Sequence, residues 1–262
     1  MIEFPLPLIE KACGLGIETM LPAVLGRRVR FGRMLPFCRM YRRMGACKYF
    51  TSGLPDQLFA DLSRSARAFA YFLDTAEDAT KLTSLSEPFF DAVACGDGDA
   101  EQAIARHSRS TWNEGEEYED DFLYVWFLMS RFTLLASPET LESILTRWKR
   151  ALEGGKDPRL ELCRAIMVRD QKLFDASLAQ IIADQERTLS EKIRTDQLSP
   201  DDVPTLAILW VELLALLQLA ERTGLGTNEP FDLAPSGVRH PDRAALPPPD
   251  AWQSIKSYQE LG

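Results

Sequence analysis

Apolar residues recur three and four positions apart along most of this chain, and that spacing places them on one face of an α-helix. The series from Leu58 to Leu73 follows Pro55-Asp56 and predicts a helix that continues to about Thr80. The opposite face of this helix carries three charged residues, Asp61, Arg64 and Arg67. Alternating patterns typical of strands are nearly absent. The sequence therefore predicts an all-α fold with about nine to eleven helices.

Other helix boundaries follow from capping residues and glycines. Asp99 with Gln102 three positions later resembles a capping box. Residues 122–136 are apolar nearly all round, which is typical of a central helix packed on several sides. Ser199-Pro200 is predicted to begin the last long helix, which ends at Thr223-Gly224.

We find no linker that divides the chain and no repeat period. The sequence predicts one α-helical domain over residues 1–235. A proline-rich tail, residues 236–262, follows it and could dock through Trp252, Ile255 and Tyr258. A multi-helix bundle and a stack of helical hairpins both remain open.

Cysteine usage and hydropathy indicate the compartment. The five cysteines are scattered without a Cys-x-x-Cys pair, which favours a reducing environment. The first residues lack the basic stretch of a signal peptide. The most apolar window, Val203 to Ala220, is interrupted by Glu212 and Gln218, which favours a buried helix over a membrane span. We expect a cytoplasmic protein that makes no membrane contact.

Charge is distributed unevenly along the chain. The net charge is −9, yet eight basic residues and no acid fall between Gly26 and Phe50. We call residues 27–48 the basic segment. Because the rest of the chain is acidic, it should repel nucleic acid and attract a basic protein.

The densest charge lies just before the most apolar helix, in residues 112–121, which we call the acidic segment. Its candidate partner-binding residues are Trp112, Glu114, Glu116, Glu117, Tyr118, Glu119, Asp120 and Asp121. The carboxylates could simply favour a helix N-terminus. Alternatively, they could form an electrostatic docking surface with Trp112 and Tyr118 as aromatic anchors.

An enzyme of the Mg²⁺-dependent isoprenoid type is an alternative hypothesis. It would set one acidic cluster against another, namely Asp74, Glu77 and Asp78 against Glu116, Glu117, Asp120 and Asp121. Neither cluster has the repeated spacing that this chemistry needs. His107 has no recognisable partner at a meaningful spacing, and no nucleophile or phosphate-loop motif occurs. We therefore predict no catalytic residue, no metal and no cofactor.

A nucleic-acid-binding adaptor is a second alternative, because aromatic residues alternate with arginines in the basic segment from Arg27 to Lys48. The overall acidity weighs against this hypothesis. We expect the aromatic side chains to face the core, while the arginines are solvated or pair with acids on neighbouring helices. These aromatic residues are Phe31, Phe37, Tyr41, Tyr49 and Phe50.

The order of features from Trp112 to Pro235 resembles the bacterial immunity protein 49 family. Its features are an apolar helix after Trp112, an Arg169-Asp170 step before a helix containing Phe174, and the closing helix LLALLQLAERTGL. The proline-marked stretch Glu229–Pro235 follows. Gln185 or a neighbour stands where the family usually has a histidine, and residues 1–53 lie outside the resemblance.

What the resemblance implies goes beyond the residue patterns. It implies an all-helical protein without enzyme activity. It also implies a cognate toxin domain as the partner, and residence in the cytoplasm of the cell that produces the toxin. From the acidity of the chain we expect that toxin to be basic, and its substrate could be nucleic acid or nucleotides.

Overall fold

The protein is all-α, as predicted. A computed structural model describes residues 6–227, 229–239 and 245–254. Within these ranges there are ten α-helices and no strand. The helices are α1 (Leu6–Leu25), α2 (Phe31–Ser52), α3 (Pro55–Leu73), α4 (Glu87–Cys95), α5 (Gly98–His107), α6 (Glu119–Phe132), α7 (Pro138–Ala151), α8 (Pro158–Val168), α9 (Gln171–Arg194) and α10 (Val211–Arg222).

Helices that are consecutive in the chain pack against one another. α1 through α5 form one such series, and α6 through α9 form another. α10 packs against α4 and so links the end of the second series to the first. One continuous apolar core runs through these contacts, and its largest fully buried side chain is that of Trp148. No helix among the described residues is long and apolar enough to cross a bilayer.

Two predictions about α3 were wrong. The helix ends at Leu73 rather than near Thr80, because residues 74–80 add no large apolar side chain to its buried stripe. Asp61 does not face solvent but is completely buried. Its carboxylate accepts hydrogen bonds from Lys48 Nζ at 2.8 Å and from Arg64 Nη1 at 2.5 Å.

The helix predicted to begin at Ser199 begins only at Val211. Residues 200–208 form consecutive turns, since Pro204 lacks the N–H that a helix interior would need. Within these turns, Asp202 pairs with Arg43 of α2 at 2.6 Å. The capping box predicted at Asp99 and Gln102 does not cap α5. The capping side chain is instead that of Asp97, which accepts a hydrogen bond from Ala100 N.

Residues 245–254 lie against the first helices. Trp252 is buried and contacts the ring of Tyr71, with 5.1 Å between the ring centroids. The hydroxyl of Tyr41 donates to the carbonyl oxygen of Trp252 at 3.0 Å. Ile255 and Tyr258, which could dock beside it, lie outside the described residues.

Candidate functional site

The basic segment lies mostly on α2, and its aromatic rings face the core, with Phe37 and Tyr41 buried. Arg27 lies 3.7 Å from Asp74, and four further cations of the segment form closer pairs with acids elsewhere in the chain. These pairs are Arg39–Glu87 at 2.6 Å, Arg42–Asp91 at 2.7 Å, Arg43–Asp202 at 2.6 Å and Lys48–Asp61 at 2.8 Å. Much of the segment's charge is therefore used to hold α2 against its neighbours, while Arg28, Arg30 and Arg33 remain exposed.

These contacts form part of a polar seam between α2, α3, α4 and α5. Asp91 is fully buried and accepts a hydrogen bond from Ser65 Oγ at 2.6 Å as well as from Arg42. Burial raises the pKa of Asp91 despite the guanidinium beside it. In the same seam, Asp97 accepts from Arg67 and Ser63. The charged residues that the sequence pattern places on the outer face of α3 therefore lie largely in the interior.

The acidic segment divides at Glu119, where α6 begins. Residues 112–118 form the preceding loop, and Trp112 closes it, because its Nε1 donates to the carbonyl oxygen of Glu117 at 2.8 Å. The Glu117 carboxylate accepts from the backbone N–H groups of Ser84 and Asn113 at 2.9 and 3.1 Å. Trp112 and Glu117 therefore shape the loop and are only partly available to a partner.

Three carboxylates in the first turn of α6 also have partners within the chain. Glu119 pairs with Arg147 at 2.6 Å. Arg159 pairs with Asp121 at 2.6 Å and with Asp120 at 3.1 Å, and its guanidinium lies 5.2 Å from the centre of the Tyr124 ring. These acids suit the positive end of the helix dipole and also tie α6 to α7 and α8.

The outer face of the acidic segment surrounds a hollow of about 430 Å³. The residues that line it are Trp112, Gly115, Glu116, Glu117, Tyr118 and Glu119. Gly115 turns the loop with φ of 88°, a left-handed conformation that favours glycine. Tyr118 is 79% exposed although it is a large aromatic side chain, and Glu114 and Glu116 are exposed beside it. This face combines an exposed ring with two carboxylates that form no ion pair with any described residue.

The acids of the magnesium hypothesis do not converge. The two acidic regions are neighbours, since Asn113 Nδ2 donates to the carbonyl oxygen of Ala79. However, Asp78 pairs with Lys81, and Asp74 lies 3.7 Å from both Arg27 and His107. Across the part of the chain that the structure describes, no three His, Cys, Asp or Glu residues form a group that could hold a metal ion.

Sequence reasoning missed the cations that organise the acidic segment. Arg159 and Arg147 lie 38 and 28 positions from their carboxylate partners Asp121 and Glu119, so no local spacing links them. The density of acids was the available signal, since adjacent carboxylates at a helix start are stabilised by cations from neighbouring helices. His107 likewise acquires a nearby carboxylate, Asp74, that the sequence pattern did not reveal.

Fold and surface together define an all-α protein with an acidic, aromatic outer face. The sequence profile described as Immunity protein 49 matches residues 40–238, so the chain belongs to this family. The resemblance predicted from residue 112 onward is thereby confirmed, and the match begins much earlier, within α2. No curated protein and no solved structure matches the chain.

Proposed function

We propose that this protein neutralises a cognate bacterial toxin domain by binding it stoichiometrically and covering its active site, without catalysis of its own. The acidic segment is the proposed docking surface. We place the complex in the cytoplasm of the producing cell, and we expect the toxin to carry a basic cleft of the kind that acts on nucleic acids or nucleotides. Family membership supports the class of partner.

The exposure of Tyr118 is the observation that carries the choice of surface. A ring that is 79% exposed beside a hollow is costly to leave in water and well suited to becoming an interface anchor. Glu114 and Glu116 surround it with negative charge that would steer a basic partner. Arg159 and Arg147 hold the base of the segment in place, so that little ordering is needed on binding.

Co-expression with the toxin domain encoded beside this gene provides the primary test. We expect the protein to protect the cells and to form a complex that survives gel filtration with one copy of each chain. If the cells die and the two proteins elute separately, the proposed function is wrong.

The docking surface can be tested separately with Glu114→Lys combined with Glu116→Lys. Both side chains are exposed, so the fold should persist while association slows by about tenfold at low salt and loses much of its salt dependence. Glu142→Lys combined with Glu186→Lys is the matched control, since it makes the same change in net charge at exposed helical positions. Equal effects of the two double variants would place docking elsewhere.

Tyr118→Ala completes this test, because an anchor acts on dissociation. Truncating a central aromatic anchor costs on the order of 2 kcal/mol, which corresponds to about thirtyfold faster dissociation. Surface plasmon resonance measures both rate constants. An unchanged dissociation rate would show that Tyr118 stays in solvent when the toxin is bound.

A further inference from the structure

A crevice of about 250 Å³ opens beneath the second half of α9. Gln185, Leu189 and Lys192 of α9 form one wall, and residues of α2, α4, the 198–210 turns and the start of α10 form the rest. Its volume corresponds to about eight water molecules. It shares no lining residue with the hollow at Tyr118. The crevice is thus a separate concave site large enough for a small molecule.

Three carboxyl groups line this crevice, and each has a hydrogen-bond or ion-pair partner within the chain. Glu87 lies between Arg39 and Arg42, at 2.6 and 3.0 Å. Asp202 receives two hydrogen bonds from Arg43, at 2.6 and 2.9 Å. These acids therefore do not turn the crevice into a cation site.

The third carboxyl group, Glu212, accepts a hydrogen bond from the hydroxyl of Tyr124 at 2.7 Å. Burial raises the pKa of Glu212, which favours its neutral form. The Arg159 guanidinium lies 5.2 Å from the centre of the Tyr124 ring and places a positive charge near this contact. Glu212 consequently repels an anion less than an ordinary glutamate would.

Several donor groups in the crevice, by contrast, have no partner among the described residues, although Arg39 and Arg42 also pair with Glu87. Lys192 is exposed and forms no ion pair with any described residue. Arg39 uses only Nη2 for Glu87, and its side chain remains 42% exposed. The side chains of Gln185 and Trp210 also lack a hydrogen-bond partner among the described residues. An arginine fork with a nearby lysine suits an oxyanion, and the Trp210 ring suits a planar apolar body.

We propose that this crevice binds a small organic anion whose phosphate or carboxylate group contacts Lys192 and Arg39 and whose planar apolar part packs against Trp210. The ligand must be small, because the space lies below the usual range for drug-sized pockets. In a chain with net charge −9, such a site depends on the local pairing of its acids rather than on the overall field.

Phenyl phosphate and benzoate serve as probes, with benzyl alcohol as the uncharged control. In ¹H–¹⁵N spectra of the full chain, either anion should shift the Trp210 indole signal and the backbone signals around Lys192, with saturation. Phenyl phosphate binding alone would identify a phosphate site, and benzoate binding alone a carboxylate site. Absence of saturable shifts with both anions, or equal binding of benzyl alcohol, would overturn the proposal.

Lys192→Ala tests the assigned contact, and Lys172→Ala is its matched control on an exposed position of the same helix outside the crevice. We expect about tenfold weaker anion binding for the first variant and unchanged binding for the second. Equal affinities in the two variants would remove Lys192 from the site and overturn the proposal. The test needs no partner protein, so its outcome is independent of toxin binding.

Discussion

Replacing Asp97 tests whether the buried polar seam stabilises the fold. Asp97 is only 2% exposed, yet its carboxylate caps α5 through Ala100 N at 3.1 Å and accepts from Ser63 Oγ at 2.6 Å. Its two oxygens also accept hydrogen bonds from Nε and Nη2 of Arg67, at 2.6 and 2.9 Å. Asp97→Ala would therefore remove a helix cap and leave a guanidinium and a hydroxyl without their acceptor.

The magnitude follows from these contacts. Loss of the cap costs about 1 kcal/mol, and loss of one partner of a buried ion pair costs roughly 3–5 kcal/mol. Because Arg67 keeps 16% of its side-chain surface in water, water can partly replace the lost acceptor. We expect Asp97→Ala to lower the free energy of unfolding by about 4 kcal/mol. Asp97→Asn, which retains an acceptor for Ala100 N, should cost about 2 kcal/mol.

Urea unfolding, monitored by circular dichroism, measures these differences in the free energy of unfolding when the variants share the same m-value. A double-mutant cycle of Asp97→Asn with Arg67→Met should give a coupling free energy of about 2 kcal/mol, since the two side chains are in direct contact. A loss below about 1 kcal/mol for Asp97→Ala, or additive effects in the cycle, would refute this account of the seam.

Two further predictions concern helix packing and pH. Gly45→Ala would put a Cβ 3.1 Å from Asp61 Cβ and 3.2 Å from Leu58 Cα. We therefore expect thermal unfolding to show a destabilisation of about 1–3 kcal/mol. Gly32→Ala in the same helix is the control, because its Cβ would enter open space and should not destabilise the protein. Retention of the melting temperature in Gly45→Ala would show that α2 and α3 can separate without cost. Glu212 has a raised pKa, so its contribution to stability is present below its ordinary value of 4.5 and is lost as pH rises through the raised pKa. In the Glu212→Gln variant this side chain cannot ionise, so near neutral pH the variant should have a higher melting temperature than the natural protein. The difference in melting temperature should vanish in acid. A constant difference at every pH would contradict this reasoning.

Helix existence was predictable because it depends on local periodicity. α6 shows this, since residues 122–136 are apolar and the preceding acids suit a helix N-terminus. Helix limits were less predictable where a tertiary contact competes with the pattern. Residues 203–220 form the most apolar window of the chain, interrupted only by a few polar residues, yet Pro204 and the pairing of Asp202 with Arg43 keep its first part in turns.

The solvent-facing part of the candidate site could not be predicted in detail. Sequence identifies residues 112–121 as acidic but cannot show that Arg159 of another helix pairs with Asp120 and Asp121. Asp61 shows the same difficulty in α3, because only the approach of α2 buries it. Charge pairing over long sequence separations depends on how helices are arranged, and a single sequence carries no direct signal of that arrangement.

The projecting end of α9 has a consequence for local opening. Its buried residues all lie between Phe174 and Ile181, while residues 190–197 are exposed. The backbone hydrogen bonds of this last part have little apolar packing to protect them, so they can break and re-form without disturbing the core. Since Lys192 in this part belongs to one wall of the crevice, we expect fraying of the helix end, rather than unfolding of the protein, to affect how fast a small molecule enters and leaves.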